Sequence, residues 1–177
     1  MEISWRDLIT VFHGMGFGAL FMLAFTGAIA EIYRMSAPGA PAVRPHKDQM
    51  LLRFYVVGMV VLAWGTVISG AYLVYPWYRA IPPAGTADLS SYPQSLLMAS
   101  PSTSGWHSLG MEWKEHVAFL APIATTVAAF AISYYGTALA RKARERRAVM
   151  IFFLFAFAAA AAAGVFGALI TKVAPVH

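Results

Sequence analysis

Hydrophobic residues along the chain fall into four long, nearly unbroken runs, at residues 8–30, 54–75, 117–140 and 148–170. Each is long enough to cross a bilayer as a helix, which takes roughly 20 residues. No Asp or Glu lies between the ends of any run. The pattern predicts an all-α polytopic membrane protein, one domain of four transmembrane helices packed as an antiparallel bundle.

The punctuation between the runs supports this division. Residues 35–50 carry Pro38, Gly39, Pro41 and Pro45, which predicts a loop, with His46 solvated beside Lys47 and Asp48. Tyr75-Pro76-Trp77-Tyr78-Arg79 closes the second run with a proline stop and an interfacial aromatic belt. A long loop then covers 76–111, with Pro82, Pro83, Pro93 and Pro101. Within it, Leu96-Leu97-Met98 is an apolar triplet, expected to dock on a partner subunit rather than cap the bundle. Gly58 and Gly65 share a helix face, and the indole N–H of Trp64, in mid-span, needs a partner. The fourth run is alanine-rich from Ala156 to Ala163, followed by Gly164 and Gly167, and is expected to serve close helix packing.

Composition agrees: 59% of the 177 residues are hydrophobic and 12% charged. The net charge of +5 is a matter of topology, not of nucleic-acid binding. Nine of the thirteen basic residues (Arg34, Arg44, Lys47, Arg53, Arg141, Lys142, Arg144, Arg146, Arg147) flank the first-to-second and third-to-fourth connections. Cytoplasmic loops collect Lys and Arg, so both termini and the 76–111 loop are expected on the periplasmic side of a bacterial inner membrane. Weak attraction of the basic loops to anionic lipid is a secondary expectation. The N-terminus has Glu2, Arg6 and Asp7 in place of a basic leader, so a cleaved signal peptide is not expected.

The absence of cysteine excludes c-type haem attachment, cysteine-ligated clusters and disulfides. There is no Walker-type loop, no G-x-S-x-G and no H-E-x-x-H. The lack of mid-span acids argues against a pump or transporter, and a non-catalytic subunit is expected.

The candidate chemistry lies with three histidines. His13 sits inside the first run, where an ionisable group calls for a functional partner, and Gly14, Gly16, Phe17 and Gly18 follow it. His116 heads the third run, and His107 precedes it in the loop. Two histidines on different helices at one side of a bundle suit the axial positions of one haem b. His13 and His116 are the expected iron ligands, with His107, Met15 or Met111 as alternates. Gly14, Gly16 and Phe17 would make room and walls, and Arg79, Lys114 or Arg6 would hold the propionates. Glu112, Glu115 and His116 share one helical turn, which is expected to be a solvated helix head although a metal ion is a second reading.

Four spans with histidines at the heads of helices one and three resemble the small four-helix membrane b-type cytochromes. The resemblance implies a haem-bearing electron-transfer subunit that works between quinone and a periplasmic redox partner, beside other membrane subunits. The competing expectation is a cofactor-free accessory subunit of a respiratory or photosynthetic complex. A different flat metal-tetrapyrrole, such as chlorophyll, would use the same imidazoles.

Overall fold

The computed structural model describes residues 3–37 and 45–175. Four helices in it are long and apolar enough to cross a membrane. They are α1 (Trp5–Arg34), α2 (His46–Tyr78), α4 (Pro101–Arg141) and α5 (Ala143–Val173), with the short α3 (Pro93–Met98) between α2 and α4. No strand occurs among the described residues. This is a multi-pass membrane protein by helix length and composition.

Local signals explain the helix ends. Ser4 caps α1 reciprocally with Asp7, the side chain of each accepting the other's backbone N–H. Gly136 ends the α-helical part of α4 at φ +51°, a conformation a side chain resists, and a 3-10 turn follows to Arg141. Arg146 donates to the Leu139 and Ala140 carbonyls at 3.2 and 2.6 Å, satisfying that helix end.

Two boundaries differ from the sequence expectation. Helix α2 begins at His46, not after Arg53, because Pro45 closes the loop and stands just before a first helical turn that contains Asp48. His46 is exposed, as expected of it, but in that first turn. The prolines and glycine at 38–41, and Arg44, lie outside the described residues. Helix α4 begins at Pro101, ten residues before Met111, because Ser100 accepts the Ser102 N–H and proline suits the first helical position. The expected loop of 76–111 is therefore cut to 79–100, and α3 lies within it. The loop keeps tight turns: the Asp88 carboxylate accepts the Ser90 N–H at 2.9 Å, which holds its pKa below the usual value.

All four long helices contribute to one apolar core. It contains Phe21, Phe25, Ala28 and Ile32 of α1, Val56, Met59 and Ala63 of α2, Ala124, Ala128 and Ile132 of α4, and Val149, Phe153 and Ala156 of α5. Phe25 stacks on Phe157 with ring centroids 4.3 Å apart. Small residues of α4 and α5 let those helices pack along most of their length. Trp64 finds its partner, donating to Thr126 Oγ1 at 3.1 Å. Since such membrane-embedded hydrogen bonds average about 0.6 kcal/mol, Trp64→Phe is expected to destabilise the protein by roughly that amount in a detergent unfolding titration.

A second, smaller cluster sits toward the start of α1 and the end of α5, and joins Tyr78, Leu97, Met111, Ile170 and Ala174. Leu97 is fully buried there and Leu96 packs beside it, whereas Met98 is half exposed. The apolar triplet thus caps the helices, in place of the expected docking on a partner, because α3 turns two of its three side chains inward.

Candidate functional site

Between the main core and the terminal cluster the packing is interrupted on every helix. No residue of α1 before Phe21 is fully buried, nor any at 112–120 in α4 or 160–169 in α5. Between Ala63 and Tyr78, Ser69 is the one buried residue of α2. The ten residues of α5 span about 15 Å along the axis. The helices are also locally widened at this end. Phe12–Ala19, Gly70–Val74 and Trp106–Met111 are π-helical, a form seen mostly in short pieces and often at functional sites. Pro122 adds to this: it has no N–H for the preceding turn, and the Ala118 N–H reaches back five residues to Trp113.

His13 lies in this layer, half-buried, on the first π segment. Its Nδ1 is 3.1 Å from Ser69 Oγ. The Ser69 hydroxyl has one hydrogen, which it donates to the Gly65 carbonyl at 2.6 Å. Ser69 therefore accepts from His13 Nδ1–H, and His13 Nε2 keeps its lone pair. The ring is seated on Gly70, where a β-carbon would stand 2.7 Å from His13 Cε1. One turn deeper, a β-carbon on Gly65 would stand 2.9 Å from the Phe17 ring. Helix α2 thus gives up two side chains so that two rings of α1 fit.

Lys114 enters the layer from α4. It crosses to α5, where a β-carbon on Gly167 would stand 2.8 Å from its Nζ. It has no hydrogen bond or ion pair among the described residues, and it is near enough to His13 for its charge to act there. Trp113 packs beside it on Phe166, ring centroids 6.1 Å apart, and its Nε1–H is buried without an acceptor. Two adjacent donors therefore face α5 unanswered, where a buried donor ordinarily has a partner.

The other sequence candidates are placed differently. His116 is two residues beyond Lys114, about 200° round the helix, and its side chain is 70% exposed. Its Nδ1 meets the Glu112 carbonyl at 3.0 Å. The expected pairing of His13 with His116 is not assembled, because helical periodicity turns His116 to the exposed face of α4, away from the one that carries Lys114. His107 is held by Tyr78 Oη at 2.8 Å and Gln94 Nε2 at 3.5 Å, so both ring nitrogens are engaged outside the layer. Met111 belongs to the terminal cluster and Met15 is exposed. Gly14 faces open space, and Gly16 lies under Phe12 of its own helix, so neither makes room for His13. Arg79 stacks over Tyr75 and Arg6 over Trp77, at 5.4 and 5.5 Å. Ser69, Gly70, Trp113 and Gly167 were not recognisable as site residues in the sequence, since each acts through a neighbour on another helix.

A tetrapyrrole meets a partial fit here. One imidazole whose Nδ1 is held by Ser69, one cation and one orphaned indole N–H suit it, whereas the spaces over Gly65, Gly70 and Gly167 are already filled by Phe17, His13 and Lys114. The layer offers one imidazole, so any second protein ligand to such a group would come from a partner subunit. Comparison with models of known families, with curated proteins and with solved structures found no match.

Proposed function

We propose that this protein is a haem b-binding electron-transfer subunit of a larger membrane redox complex. The observation that carries the reading is the interrupted layer, into which α1 delivers an imidazole held by Ser69 on one nitrogen and free on the other. His13 would be the axial ligand, its ring orientation and tautomer set by Ser69 and Gly70. Lys114 and Trp113 would hold a propionate, which answers both unpaired donors at once. Haem b would supply one-electron transfer, and the protein's part is to orient it and to offset its negative charge. The helices would form an antiparallel bundle across the bacterial inner membrane with both termini periplasmic, as the clustering of Lys and Arg at the opposite end supports. Quinone, a periplasmic redox protein and other membrane subunits are the partners this role requires.

Reduced-minus-oxidised absorption spectra of the purified protein test the reading. A b-type α-band is expected in the wild type and in His116→Ala, and its loss in His13→Ala. A band that survives His13→Ala would overturn the ligand assignment. A colourless wild-type protein that stabilises neighbouring subunits would favour the cofactor-free accessory role.

A further inference from the structure

The cations of the basic end divide into engaged and unengaged ones. On the first connection, Arg34 pairs with Glu31 at 3.2 Å and Arg53 donates to the Ser133 carbonyl at 3.1 Å. On the second, Lys142 pairs with Glu145 at 3.6 Å and lies over the Tyr135 ring, while Arg146 satisfies the Leu139 and Ala140 carbonyls. Lys47, Arg141, Arg144 and Arg147 are exposed and have neither hydrogen bond nor ion pair among the described residues. Three of these four flank the start of α5. The helix itself gives no reason for them, since its macrodipole favours acids at that end and opposes cations.

What lies below the arginines says what belongs on them. Arg144 and Arg147, at i and i+3, are neighbours with β-carbons about 5–6 Å apart. The same side of α5 continues through Ile151, Leu154, Phe155 and Val165, all exposed. Arg147 adjoins the apolar run that starts at residue 148, and Arg144 stands about 4.5 Å further out along the axis. A headgroup layer is about 5–8 Å deep on each side of the hydrocarbon, so one layer holds both guanidiniums. Each guanidinium presents a planar fork that fits phosphate oxygens. The face therefore calls for a ligand that is anionic at one end and apolar along the rest. A free phosphate lacks the second part, and an acidic peptide would leave the apolar stripe unanswered.

We infer that Arg144 and Arg147 form a headgroup site for an anionic phospholipid, whose acyl chain lies along the exposed face of α5 below them. The site is local to α5. The engaged Arg34 and Arg53, though at the same end, take no part in it. It shares no residue with the His13 layer and does not rest on the haem reading.

The test uses full-length protein in neutral detergent micelles, titrated with lipid and read by thermal unfolding and by the lipid retained in native mass spectrometry. Phosphatidylglycerol is expected to raise the thermal midpoint and to be retained, unlike phosphatidylcholine or inorganic phosphate. Arg144→Gln with Arg147→Gln should lower the affinity for phosphatidylglycerol about tenfold or more, as the loss of two arginines near a lipid phosphate implies. Arg34→Gln with Lys47→Gln removes the same two charges from the same end and should lower it about twofold at most, because those side chains lie off the α5 face. All four positions are exposed, so both double variants should unfold like the wild type in lipid-free micelles. Arg147→Gln alone carries the test if the first double variant fails to fold. Equal losses from the two pairs would reduce the site to a diffuse attraction and overturn it. An equal response to phosphatidylcholine or to inorganic phosphate would overturn it as well. So would a dimer in lipid-free micelles that Arg144→Gln with Arg147→Gln dissociates, which would give this face to a second copy of the chain.

Discussion

Gly70→Leu is expected to lower the stability of the isolated protein by about 1–3 kcal/mol, the usual cost of forcing extra carbon into a packed contact, and to remove any haem absorption. The cause is specific. The first added carbon would already stand 2.7 Å from His13 Cε1, so the ring must leave its seat and Ser69 must lose its donor. Gly14→Leu is the control, because a β-carbon there meets nothing within 4 Å although the residue adjoins His13 in sequence. Thermal or denaturant unfolding in detergent, read beside the absorption spectrum, separates the two. Equal losses from both substitutions would mean that His13 is not seated on Gly70.

Lys114→Met is expected to act in the opposite direction on stability. Methionine keeps most of the stem that lies against Gly167 and removes an ammonium that has neither hydrogen bond nor ion pair among the described residues. An unsatisfied polar group in a protein interior costs about 1–3 kcal/mol, and more when charged. The isolated chain should therefore gain about 1–3 kcal/mol, while affinity for an anionic cofactor falls. Stability traded in this way is common where a residue is kept for binding. A destabilised Lys114→Met protein would show that the ammonium already has a partner within the chain, and the propionate assignment would fail with it.

These two expectations mark the limit of what the residues alone disclose. Period and run length suffice for helices, since a bilayer admits few alternatives for an apolar stretch of some 20 residues. The demand of Trp64 for a partner was legible for the same reason, because an indole N–H in mid-span must be met somewhere. Helix starts were less legible. Pro101 reads as a breaker in a list of loop prolines, yet with Ser100 before it the same residue opens a helix. Leu96 to Met98 read as exposed because a loop was expected, and the helix that forms there buries Leu97 and partly buries Leu96.

The site divides along the same line. His13 was conspicuous because it is the one histidine well inside an apolar run. Its supposed partner was chosen because it lies at the same end of the bundle, and that does not say which way a side chain faces. Two residues of helical advance separate Lys114, directed to α5, from His116, directed away. Glycines next to His13 in sequence looked like the ones that make room, and the room in fact comes from Gly70 across the helix pair.

By itself, the sequence determined four apolar helices, the basic end and the presence of an imidazole at membrane depth, because each follows from composition and local period. Only the tertiary structure decided which glycine faces which ring, that Lys114 stands unpaired, and that packing breaks off at one level on all four helices. Those are relations between side chains remote in the chain. They depend on the rotation of each helix about its axis, which is set by the other three.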